Sequence, residues 1–287
     1  MHRMTAMATV AGLVIGAGAG VHAAGKASGY FRMDKLRTTF AHACAFRVLD
    51  PASPSGTTHV VLSSVPLDCE AADRSFSPVE ALKAAAEAKK PALVTLSFPA
   101  GGAVTRIEHG SWESADPVDS FSFGGQGTVT MQANTETVTT GRYAVAKPES
   151  FFDKTFQFDF SWDTPVLSGS MAGTPVKGDG GEIGAAYRRY LAAVAKGDLA
   201  AVRANATTER AGSIPDVKGS EAQRFAKLMQ AFELKTATII GGVQRGDDAV
   251  LLVQGLDFDQ LAMHGRVVMR REGGAWKVVK VSVQPRI

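Results

Sequence analysis

Hydrophobic and polar positions follow two different rhythms along this chain. Between residues 29 and 163 the apolar positions come in short or alternating runs. Val60-Val61-Leu62 and Leu93-Val94-Thr95-Leu96-Ser97-Phe98 are apolar stretches bounded by Pro, Gly or Ser, the signature of buried strands. Thr128-Val129-Thr130-Met131 and Thr137-Val138-Thr139-Thr140 are β-branched and are expected to pair through the polar region 134–136. Phe156-Gln157-Phe158-Asp159-Phe160-Ser161-Trp162 alternates strictly, so one face carries four aromatics and the other three polar groups. One helix interrupts the run. Ser77-Pro78-Val79-Glu80 offers an N-cap serine, a proline at the first helical position and a glutamate able to reach back. That helix should pass through Ala84-Ala85-Ala86 and stop before Pro91.

Residues 164–181 hold five glycines and two prolines and read as a flexible linker. Beyond them the period changes from two to about 3.6. Ile183, Tyr187, Tyr190, Leu191 and Val194 form one apolar helix stripe. Gly197 can end that helix in the left-handed conformation, and Asp198 can cap the next. A third helix is expected over 221–232, with Phe225, Leu228, Met229 and Phe232 on one side. Four β segments follow, at 236–243, 249–255, 266–271 and 276–283. The expected fold class is therefore two domains. Residues 24–163 form a mainly β domain, a sandwich-like sheet with one helix. Residues 182–287 form an α+β domain with helices packed on a curved antiparallel sheet.

The first 23 residues change the picture of compartment. His2 and Arg3 precede an uncharged stretch rich in Ala, Gly and Val, and Val21-His22-Ala23 places small residues for cleavage after Ala23. This is the layout of a secretory signal peptide, so the mature protein is expected in the periplasm or outside the cell. The segment is too short and Gly-rich for a membrane span, and no other apolar run is long enough. Its Val14–Gly20 glycines imitate a dinucleotide-binding turn but open no helix, so no such cofactor is expected. Cys44 and Cys69 are the only cysteines. In an oxidising compartment an even count favours a disulfide between them, and their separation excludes a CxxC redox or zinc pair.

Charge adds little. Residues 24–176 carry 13 Lys and Arg against 16 Asp and Glu, and residues 177–287 carry 17 against 12. The basic pairs Arg188-Arg189 and Arg270-Arg271 lack interleaved aromatics, so nucleic-acid binding is not expected.

Helices followed by a meander, together with Arg189-Tyr190-Leu191-Ala192-Ala193-Val194-Ala195-Lys196-Gly197-Asp198-Leu199 and the closing Trp276-Lys277-Val278, resemble the nuclear transport factor 2-like superfamily over about residues 182–287. The opening helix is similar to that of ketosteroid isomerases and of many non-catalytic relatives. The resemblance implies a curved sheet around a conical pocket, lined by Tyr187, Tyr190, Phe225, Met229 and Trp276. It also implies that Tyr190 stands where the isomerases place an oxyanion donor. The isomerase base position falls on Ile214 and the second acid near Val267 or Val268, so neither carboxylate is present there. Asp216, two residues on, and His264 are the substitutes on offer. A tyrosine with an ordinary pKa of about 10 cannot by itself move a carbon-bound proton.

Other chemistry is weakly supported. The histidines His42, His59, His109 and His264 show no metal-ligand spacing, and Asp257-Phe258-Asp259 lacks the glycine and glutamate of a calcium loop. No metal site is expected, and no Gly-x-Ser-x-Gly elbow occurs. The stripe of Phe156, Phe158, Phe160 and Trp162 is expected to be core. The reading that results is an exported, non-catalytic binding or interaction protein. Its expected partners are a small apolar ligand or a protein subunit, a second copy of the chain included. The alternatives are an isomerase, dehydratase or cyclase using Tyr190 with Asp216 or His264, and a structural envelope protein.

Overall fold

The computed structural model describes residues 25–107 and 109–286. The expected signal peptide and its glycine turn lie outside them. The chain is mostly β. The first group of elements is β1 (Gly25–Met33), β2 (Leu36–Thr39), β3 (His42–Asp50), β4 (Ser53–Ser63), α1 (Cys69–Asp73), α2 (Pro78–Ala86), β5 (Ala92–Pro99), β6 (His109–Ala115) and β7 (Val118–Phe123). It continues with β8 (Thr128–Asn134), β9 (Val138–Ala144), β10 (Glu149–Phe151) and β11 (Lys154–Leu167). These strands form one eleven-stranded sheet along the path β7-β6-β5-β4-β3-β1-β11-β9-β8, with β2 on β1 and β10 on β11.

The sheet curls back on itself. Phe31 of β1 stacks on Trp112 of β6 at 4.8 Å although three strands lie between them in the path. Phe98 of β5 likewise meets Trp162 of β11. The β11 alternation explains the inner wall: Phe156, Phe158, Phe160 and Trp162 are all buried, and Gln157, Asp159 and Ser161 point away. Trp162 satisfies its indole N–H on Thr139 Oγ1 at 3.1 Å, as a buried indole must. The stripe is core, as its period requires.

On the other face of the sheet, Cys44, Phe46, Val48, Val61 and Leu93 pack under α1 and α2. Cys44 and Cys69 form a disulfide that ties β3 to the start of α1, with Cα atoms 5.6 Å apart. The short helix α1, capped by Asp68, has no apolar period and went unread in the sequence. Ser77 is the N-cap of α2, but its side chain makes no capping bond, so the expected reciprocal box is not formed. Among the described residues no helix is long and apolar enough to cross a membrane.

Residues 164–181, expected as a linker, carry the end of β11, a 3-10 turn with Ser170 buried on Arg47 O, and β12 (Thr174–Pro175). Then come α3 (Gly181–Lys196), α4 (Leu199–Ala204), α5 (Thr208–Gly212), α6 (Gly219–Ala231), β13 (Thr236–Arg245), β14 (Asp248–Leu256), β15 (Ala262–Glu272) and β16 (Ala275–Pro285). The last four and β12 make a second antiparallel sheet in the order β12-β13-β14-β15-β16. The α3 stripe of Ile183, Tyr187, Tyr190, Leu191 and Val194 is buried against it. Gly197 closes α3 at φ 67°, and Asp198 accepts from Ala201 N at 3.0 Å to open α4. Both breaks follow the sequence reading.

The two sheets touch through a small apolar cluster of Phe76, Val243 and Val250. Arg245 reinforces it by stacking over Phe76 at 4.7 Å and donating to Gly169 O at 2.7 Å. Arg266 Nη2 donates to Phe76 O, and Lys280 pairs with Glu80 at 3.0 Å.

Candidate functional site

The third helix breaks the burial pattern. On α6 only Ala226 is fully buried. Leu228 is 55% exposed, and Phe232, just past the helix, is 69% exposed. An amphipathic helix normally buries such a stripe. Here Phe225, Leu228, Met229 and Phe232 instead line a hollow of about 260 Å³, closed on its other side by Ile214 and Ser213. Arg210 and Glu233 form its polar part.

Three elements converge there. Tyr190 comes from the buried stripe of α3. Arg210 comes from α5, which Thr207 caps through Arg210 N. Glu233 sits at the corner between α6 and β13, held by the fully buried Leu234 that follows it. Tyr190 donates its phenolic proton to Glu233 Oε1 at 2.8 Å. Arg210 Nη2 donates to the same carboxylate oxygen at 2.9 Å and to Tyr190 Oη at 2.7 Å. Glu233 is only 4% exposed, and its Oε2 is buried without a partner. Arg210 Nε and the Tyr187 hydroxyl share that condition.

Burial sets the electrostatics. It pushes the Glu233 carboxyl up to about 7, against the Tyr190 hydrogen bond and the Arg210 charge, which pull it down. Burial also raises Tyr190, and the Glu233 charge raises it further. Tyr187 rises well above the usual phenol value for the same two reasons. Both phenols are therefore neutral donors at any ordinary pH. The single Tyr190 proton is committed to Glu233, so in this arrangement it is not free to meet a substrate oxyanion.

The structure places the predicted residues unevenly. Phe225 and Met229 line the hollow; Tyr190 does not, but lies fully buried behind it, bonded to the lining residues Arg210 and Glu233. Tyr187 lies buried one turn earlier on α3. Trp276 does not join them: it lies under Arg271, 5.0 Å from the guanidinium, at a different depression beside Val176 and Ile183. Asp216 turns outward, 87% exposed, and pairs with Arg203 at 3.2 Å, so the shifted-base idea fails on geometry. His264 is buried in β15 with Nε2 at 3.1 Å from Gln284, and no hydrogen bond ties it to Tyr190. The carboxylate beside Tyr190 is one that the sequence reading missed. Glu233 is a lone acid between Phe232 and Leu234 at a helix-to-strand corner, a faint signal. Arg210 gave none.

A larger groove of about 690 Å³ runs beside α2, β6 and β7, but no buried unpaired polar atom lines it among the described residues. The described residues hold no cluster of three metal-ligating side chains.

No family model matches the chain, and no curated protein does. A solved structure described as an Ntf2 like protein involved in plasmid conjugation is similar to it at a TM-score of 0.28 and 10% identity, covering 89% of this chain and 78% of that one. At that level of superposition the likeness carries no argument about activity.

Proposed function

We propose that this is an exported, two-domain binding protein. Its second domain, of nuclear transport factor 2-like type, holds a small, mostly apolar molecule bearing one hydroxyl or N–H donor. The apolar body lies on Phe225, Leu228, Met229 and Phe232, and the donor reaches Glu233. One observation carries this reading: Glu233, which lines the polar end of a hollow whose apolar lining is left open, keeps a buried carboxylate oxygen without a partner. Leaving such an acceptor unmet costs about 1–3 kcal/mol, and a donating ligand removes that cost. The disulfide and the absence of a membrane-crossing helix among the described residues are compatible with export.

The test is thermal unfolding against a panel of phenols and apolar alcohols, each beside its methyl ether. Ligand at 100 times its Kd adds about 2.7 kcal/mol of stability. The alcohols should stabilise the protein and the ethers should not. Equal shifts for both members of each pair, or none for either, would remove Glu233 from the account.

A second reading has one observation in its favour. A carboxyl poised at about 7 suits general acid-base work near neutral pH. It predicts deuterium exchange beside the carbonyl of an apolar ketone in heavy water, lost in Glu233→Gln. Tyr190's committed proton speaks against this chemistry, so binding is preferred.

A further inference from the structure

A second cavity, of about 410 Å³, lies between the two sheets, far from the Tyr190 group in the sequence and built from different elements. Its floor is the polar edge of the face under α2. There β4, β5 and β6 align His59 with Ser97 and His109, and Thr95 with Ser111. Its roof is Arg266 and Val268 of β15 with Ser282 of β16, and the N-terminus of α2 forms one wall.

Lys83 and Arg266 share this cavity with Glu80 and Glu113, so its lining charges sum to zero, but they do not pair evenly. Glu113 has Lys83 at 2.5 Å, and Glu80 has Lys280 at 3.0 Å. Arg266 feels the charges of Glu80 and Asp50 at longer range, but among the described residues it has no carboxylate within salt-bridge distance. Of its five N–H donors, one bond is made, from Nη2 to Phe76 O at 2.5 Å. Its Nε is buried with no partner. One further donor among the lining residues is unmet. Thr95, 7% exposed, has a hydroxyl with no partner. The N-terminus of α2 borders the same space, and Ser77 makes no side-chain capping bond there. An unpaired guanidinium beside an uncapped helix N-terminus is a setting in which an anion is stabilised by both. His59 completes the wall, its Nδ1 held by Ser97 Oγ at 2.8 Å.

We infer that this cleft binds an oxyanion, the carboxylate or phosphate group of a small molecule, on Arg266 with Thr95 and the α2 N-terminus. The ligand would touch both sheets, so its binding would fasten them together.

The experiment titrates inorganic phosphate and, separately, acetate into isotope-labelled full-length protein. It follows the His59 ring and Arg266 Nε–H resonances by NMR. Saturable shifts confined to these groups are the expected result, and the tighter of the two probes identifies the anion class. Arg266→Gln should weaken binding by about tenfold or more, the scale of one charge-assisted hydrogen bond. Because Arg266 also bridges to Phe76, Thr95→Val serves as a variant that leaves this bridge in place, with a several-fold loss expected. No saturable shift across the millimolar range with either anion would overturn the inference. So would affinity unchanged in folded Arg266→Gln and in Thr95→Val.

Discussion

Arg210 and Arg266 are both drawn into the interior, and they differ in what meets them. Arg210 finds Glu233 and Tyr190 within 3 Å, all three supplied by the helices and corner around one sheet. Arg266 reaches from the second sheet to the segment before α2, where it donates to a backbone carbonyl and has Glu80 and Asp50 only at longer range. The first charge is directly paired, with its own Nε and one carboxylate oxygen left over. The second charge has no direct carboxylate partner. A buried pair is fragile to the loss of one partner, whereas an isolated buried charge is a cost that its removal relieves.

The largest expected effect follows from that difference. Arg210→Ala should cost about 3–5 kcal/mol in urea unfolding at pH 8, because Glu233 is then buried and unpaired. Arg266→Met should change stability by no more than about 1 kcal/mol, or raise it. Equal losses in the two variants would erase the distinction. Next in size is the staple of the first sheet. Reducing Cys44–Cys69, which closes a loop of separation 25, should remove about 3.5 kcal/mol on the loop-entropy relation. The loss should leave the unfolding of the second sheet's near-ultraviolet signal from Trp276 least affected if the two cores melt separately.

Titration sharpens the comparison again. Glu233 has a folded pKa of about 7 against an ordinary 4.5. Between those values the folded protein holds the extra proton. Stability from this group is therefore highest below about pH 4.5 and falls as pH rises to 7, by on the order of 3 kcal/mol. His59, in the other cavity, is lowered by burial and then by Arg266 to about 4 from an ordinary 6.5. Between those values the unfolded chain holds the extra proton, so stability from His59 is lost as pH falls from 6.5 to 4. The two slopes oppose one another in the wild type. Glu233→Gln should leave stability rising with pH across this window, and His59→Gln should leave it falling. Denaturant midpoints measured from pH 4 to 8 check both. The smallest effect is local: Asp198→Ala should cost about 1 kcal/mol through the lost α4 cap, without touching either cavity.

Period and punctuation made much of the fold legible. The β11 aromatics announce a half-buried strand because alternate side chains must face one way. Gly197-Asp198 announces the α3–α4 break because few residues tolerate the left-handed turn and fewer also cap. The cavities were less legible because tertiary corners make them. Phe225, Leu228, Met229 and Phe232 were visible as a stripe, but nothing in a stripe says whether a sheet or an open hollow lies opposite. Glu233 joins Tyr190 only through the α6–β13 turn, and Arg210 arrives on a helix too short to show a period. Asp216 looked well placed when counted along an extended segment, yet the Arg203 pairing turns it to solvent. Arg266 lay unremarked in a strand because its significance is the absence of a partner across two sheets.

The central claim is that Glu233 is a buried carboxylate held for a donor. The direct measurement is an NMR titration of its side-chain carboxyl carbon, with and without a saturating phenol from the panel. The account predicts a midpoint near 7 in the free protein and a lower one with the phenol bound, since hydrogen-bond donation favours the charged form. A midpoint near the ordinary 4.5, unmoved by the phenol, would contradict it.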